Sequence, residues 1–277
     1  SQLQSDGAFT VYRLVLQDAT ALWHKRRNSR VFMNKSVPEI SEILFKEWQE
    51  KSALFNASLS LDLSGLTQNY DVRPFVMQAN ETDYDFLTRL WRSEGINWLV
   101  DETSLIDSHA LQAIESQKLR LIDDQLQFTA LNRGIIRFHR SHATERFDSM
   151  TSLVAHRQLQ STASSVQRWQ ADTLQQDDGS GSLLSSHQQS ESYANESLSL
   201  EQAWSITPAW ISDLTGADQT TASGTQQLEK LNTNLGQYQA ACAKYFKAQT
   251  SVRDAQVGYW FELQGHPEID QHTGADR

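Results

Sequence analysis

The stretch from Pro74 to Val100 constrains this chain most, because it reads as a strand, a helix delimited at both ends, and a second strand. Thr82 presents a side-chain oxygen to the amide of Asp85 at the third helical position, and Gly95 supplies the left-handed residue at which a helix stops without Cβ strain. Between them Phe86, Leu87, Leu90 and Trp91 fall on one stripe, which must be buried. Pro74 to Gln78 and Ile96 to Val100 are strands on either side. A helix with one apolar stripe between strands of period two predicts an α+β chain.

The same reading extends both ways. Phe9 to Leu16 is apolar on both interleaved faces, the pattern of a core strand. Ser36-Val-Pro-Glu39 is a capping box, and Val37, Ile40, Ile43, Leu44 and Trp48 follow at helical spacing. Phe55, Ala57, Leu59 and Leu61 alternate as a half-buried strand, ahead of the polar stretch Ser64 to Asp71. From Lys118 to Leu174 short alternating runs such as Leu119 with Leu121, and Ile135 to His139, predict a β-rich second region. Gln175 to Asn195 is too polar to offset its ordering entropy and predicts a mobile loop. Leu228, Leu231, Leu235, Tyr238, Ala241 and Cys242 share one face of a helix near 226–243, and Lys244 to Val252 with Val257 to Leu263 reads as a strand pair. Two domains are expected, 1–103 with the helices and 104–277 rich in strands. Both ends read as cut from something longer.

Charge and sulfur narrow the function classes. The chain carries 24 basic and 34 acidic side chains, a formal net charge of -10, which repels nucleic acid and anionic lipid. The one dense basic run, His24, Lys25, Arg26, Arg27 and Arg30, reads as a solvated edge. A single cysteine, Cys242, leaves no intramolecular disulfide framework, which suits assembly in the cytoplasm. No apolar run approaches the roughly 20 residues of a membrane span, so no membrane insertion is expected.

The candidate chemistry is thin. His139 and His142 have the spacing of two helical metal ligands, but on a strand the imidazoles diverge, and His156 alone stands near as a third, so no metal is expected. Glu81, Asp83 and Asp85 form a carboxylate cluster of the kind acid–base hydrolysis uses, yet acidic groups in a first helical turn also complement the helix dipole, and the structural role is preferred. Nucleophile elbow and phosphate loop motifs are missing. No cofactor and no enzymatic activity are expected.

The run Arg73 to Glu102 carries Gln78, Glu81-Thr82-Asp83, Asp85-Phe86-Leu87, Arg89-Leu90 and Glu94-Gly95-Ile96 followed by an aromatic, and it resembles the signature of VgrG proteins, the spikes of bacterial type VI secretion systems. Arg30-Val31-Phe32 with Ser36 to Ile40, and Phe261-Glu262-Leu263 with Gly265-His266-Pro267, resemble further parts of that pattern. The departures are Phe75 and Val76, where the family commonly has Cys or a small residue, and Val257-Gly258, where a Gly often precedes the strand.

The resemblance implies a phage tail-hub-like fold of β-barrel domains with packed helices. It implies a homotrimer that caps the Hcp tube, carries a needle with a PAAR tip, meets baseplate components and delivers secreted effectors. Such a hub assembles in the cytoplasm and leaves through the secretion system. A phage tail or baseplate hub, a hub-associated cell-wall hydrolase and a plain effector-binding module are the alternatives.

Overall fold

The computed structural model describes residues 2–5, 7, 9–101, 116–140, 147–170, 175–184, 200–205 and 224–269. β1 (Gln2–Ser5) and β2 (Thr10–Tyr12) pair antiparallel, and the chain then runs without regular structure to a 3-10 turn at Ala19–Lys25. The expected core strand is therefore corrected on two counts. Pairing stops at Tyr12, and Val11, Leu14, Val15 and Leu16 are exposed, Leu16 at 90%. Burying two apolar faces needs two covering layers, and none stands over this segment among the described residues.

β3 (Arg27–Lys35) leads into α1 (Val37–Lys51), which begins where the capping box places it. The Ser36 N–H donates to the Glu39 carboxylate at 2.8 Å, and the Glu39 N–H donates to the Ser36 hydroxyl at 3.4 Å. That main-chain hydrogen bond from Ser36 holds the Glu39 carboxyl below its ordinary range. α2 (Ala53–Ser58) follows, so Phe55 and Ala57 lie in a helix and not in the expected strand. The Ser52 hydroxyl accepts from the Phe55 amide at 3.1 Å, and this cap wins over local alternation. Strand structure begins at Leu59 with β4 (Leu59–Gly65).

β5 (Arg73–Thr82) runs antiparallel to β3, with Phe32 opposite Val76 and Arg30 opposite Gln78. α3 (Asp83–Glu94) is capped by Thr82 and ends at Gly95 with φ +74°. β6 (Asn97–Asp101) and β7 (Gln117–Ile122) join β4 in a three-stranded sheet separate from β3–β5, in which β7 is central, parallel to β4 and antiparallel to β6. The sequence grouped β7 with the later strands, but Leu119 and Leu121 are fully buried in the first core beside Trp23, Phe55, Phe86 and Trp91. Aromatic rings interlock there. Trp23 lies 6.2 Å from Phe55 and from Trp91, and the Trp91 indole N–H donates to the Ser41 hydroxyl at 2.8 Å.

β8 (Thr129–Phe138), β9 (Ser149–Arg157), β10 (Ala163–Gln170), β11 (Gln175–Leu184) and β12 (Glu201–Ser205) precede α4 (Gly224–Ala243), β13 (Lys244–Thr250) and β14 (Tyr259–Gln264). Gln175–Leu184 is thus a strand, correcting the loop expected over 175–195, whose remainder lies outside the described residues. Main-chain pairing with β10 satisfies the backbone groups on one edge of it, and β10 and α4 pack beside it. β13 and β14 do not pair with each other. The order is β13-β9-β8-β14, because β9 and β8 separate them. A second core of Leu131, Ile136, Met150, Val252 and Leu263 lies on this sheet. The chain is α+β, and among the described residues every sheet is open.

Candidate functional site

The first turn of α3 places a buried carboxylate at the centre of a charge cluster. Asp83 is fully buried and accepts four N–H bonds: from Arg26 Nε, Arg30 Nη2 at 2.9 Å, Gln78 Nε2 at 2.9 Å and Trp48 Nε1 at 2.8 Å. Glu47 of α1 closes the ring, accepting from Arg26 at 3.1 Å and from Arg30. Burial opposes ionisation of Glu47, but hydrogen bonds from Lys51 and Arg30 outweigh it and hold the carboxyl below its ordinary range. The Arg26 guanidinium also lies 4.4 Å from the Trp48 ring centroid. Three cations, Arg26, Arg30 and Lys51, meet two carboxylates here. Four donors occupy the lone pairs of Asp83.

The other signature side chains fall around this point. Glu81 receives Arg89 at 2.6 Å, while Arg89 also donates to the Met77 carbonyl at 3.2 Å. Asp85 returns to Thr82, whose hydroxyl donates to it at 2.7 Å. Phe86, Leu87, Leu90 and Ile96 are core residues. Glu94 and Arg73 form a buried pair, and Lys230 of α4 reaches the other Glu94 oxygen at 2.6 Å. Glu81, Asp83 and Asp85 therefore do not converge on a cavity, and each has a different cation or cap as its partner.

The distal signature forms a corner. Gly265 has φ +83°, and the His266 Nδ1 accepts from the amides of Glu268 and Ile269, each at 3.3 Å, just past Pro267. The His266 ring meets Phe138 edge-on at 4.5 Å. His139 follows β8, His142 lies outside the described residues, and His156 stacks on Tyr245 at 5.2 Å. Among the described residues no three His, Cys, Asp or Glu side chains gather as metal ligands.

The expectation of a solvated edge at 24–30 is corrected for Arg26 and Arg30, which are the cations of the Asp83 cluster. Sequence reasoning also missed Glu47, Trp48 and Lys230, because each meets its partner across dozens of residues. The usable signal was a Gln and an Asp five residues apart at a strand-to-helix junction, which marks a polar pair entering a core.

A family model for the phage tail baseplate hub (GPD) matches residues 1–275. The chain belongs to the phage tail baseplate hub family. Among curated proteins, the type VI secretion system spike protein VgrG1a of Pseudomonas aeruginosa is 32% identical over 96 residues, 35% of this chain and 14% of that protein. The spike protein VgrG3 of Vibrio cholerae is 36% identical over 87 residues, 31% of this chain and 8% of that protein. The alignments thus cover a small part of those relatives' length. Among solved structures, an E. coli component of the type VI secretion system superposes with a TM-score of 0.38 at 17% identity, over 57% of this chain and 43% of that one. In this hub-family chain, no helix among the described residues is long and apolar enough to cross a membrane.

Proposed function

We propose that the chain is the hub segment of a type VI secretion spike: a trimeric, non-catalytic collar of two hub modules that caps the Hcp tube and bears a needle, PAAR tip and effectors. Its β sheets would close into barrels in that assembly, which would form in the cytoplasm before delivery outward. The observation that carries this reading is the exposed apolar segment from Phe9 to Leu16 in a baseplate-hub chain. Such a segment calls for a covering surface, and a closed ring supplies complementary patches on every protomer.

The signature carboxylates support a structural role, since Asp83, Glu81 and Asp85 are engaged by Arg26, Arg89 and Thr82. A phage tail hub is the second reading, favoured by the family description, and it predicts the same ring on a different tube.

Solution mass tests the proposal. A species near three times 31.5 kDa, retained on immobilised Hcp rings, is expected. A monomer at all micromolar concentrations with no retention on Hcp would overturn it.

A further inference from the structure

We infer that α4, with the β10–β11 hairpin it packs on, is an arm latched to the first module by the Glu94–Lys230 ion pair and releasable without unfolding that module. The inference is independent of the trimer reading. Three observations carry it.

First, α4 touches α3 but, among the described residues, contributes no side chain to either buried apolar cluster. Its buried residues include Leu228 and two amides that face the β10 sheet: Asn232 accepts from the Ser164 hydroxyl of β10 at 3.1 Å, and Gln239 donates to Gln202 of β12 at 3.3 Å. Apolar burial therefore holds each core together internally, and the α4 contact with α3 depends on polar groups.

Second, those polar groups are few and specific. Lys230 Nζ lies 2.6 Å from Glu94 and 5.0 Å from the Tyr70 ring centroid. Glu94 is 2% exposed and is separately neutralised by Arg73, so the first module keeps a paired carboxylate when Lys230 leaves. Lys230 retains partial exposure and can return to water at modest cost.

Third, the docked state carries a penalty. The Asn234 amide sits over Gly95, where even an added Cβ would stand 3.1 Å away, and its Nδ2 is buried without a partner. An unsatisfied donor at the contact opposes docking, so the ion pair is what tips the balance.

Hydrogen–deuterium exchange on the chain and on Lys230→Met tests the latch. The expected result is exchange in 228–243 that is faster by roughly 10- to 100-fold, the worth of a charge-assisted hydrogen bond, with α1 and α3 unchanged. Lys230→Arg should restore protection, since it keeps the cation. Unchanged exchange in α4 for Lys230→Met, or equal acceleration in α1, α3 and α4, would overturn the inference.

Discussion

The Trp48 indole N–H donates to the Asp83 carboxylate at 2.8 Å, tying the last turns of α1 to the first turn of α3 across 35 residues of chain. Asp83 thereby ties α1 and α3 together. Replacing it leaves Arg26 and Arg30 half-buried with only Glu47 to balance them. Breaking a buried pair from one side costs about 3–5 kcal/mol, so Asp83→Ala is expected to lower the urea midpoint steeply. Trp48→Phe keeps an aromatic six-membered ring but loses the indole N–H bond to Asp83, a bond worth about 0.5–1.5 kcal/mol. If Asp83→Ala unfolds within the error of the parent chain, the cluster is not what holds the helices.

Local signals carried the reading as far as they physically could. The Ser36 box, the Thr82 cap and the Gly95 stop are set by neighbours three residues apart, and all three appear where the residues place them. Phe9–Leu16 was misread because a run apolar on both faces reports that a segment wants cover, not that the cover is present. β11 was missed because its side chains are polar, whereas the pairing that makes it a strand is main-chain and comes from β10. The Asp83 cluster was half visible: Gln78 and Asp83 stood in the signature, but Arg26 and Arg30 arrive through the β3–β5 register, which no single stretch encodes.

Gly258 packs directly against the Leu99 side chain of β6. It has φ +83°, and an added Cβ would stand 2.3 Å from Leu99 Cδ1. Gly258→Ala must either strain the backbone or displace that side chain, and a loss of about 1–3 kcal/mol is expected. Leu99→Ala removes the obstructing atom, so the double variant should lose less than the sum of the singles. Strict additivity in a double-mutant cycle would show that backbone strain alone sets the cost.

Acid should loosen the 66–72 loop first. Asp123 accepts from the amides of Thr67 and Gln68, each at 2.7 Å, and from the Tyr70 hydroxyl at 2.8 Å. Burial opposes its ionisation, but the Gln68, Tyr70 and Thr67 bonds hold the carboxyl below the ordinary 3.8. A depressed folded value contributes stability that is complete above 3.8 and lost as pH falls through the folded value. The same carboxylate, with burial as the larger cause, pushes the Tyr70 phenol upward, so Tyr70 stays a donor at neutral pH. Asp123→Asn should therefore be less stable than the parent at pH 7 and show a shallower loss of stability on acidification. Parallel stability–pH curves for the two would remove Asp123 from the account.

The exposed segment after Tyr12 separates folding from assembly. Leu14 and Leu16 are 80% and 90% exposed, so an aspartate there touches no core and should change chain stability by no more than about 0.5 kcal/mol. In the assembled hub the same position would sit against a covering surface, where an unpaired buried charge is expensive. Leu14→Asp with Leu16→Asp is thus expected to keep the unfolding midpoint and to convert the trimer into monomer in analytical ultracentrifugation. A variant that sediments as the parent trimer would show that the segment is not covered by assembly. One that unfolds more readily would place its cover within the chain itself.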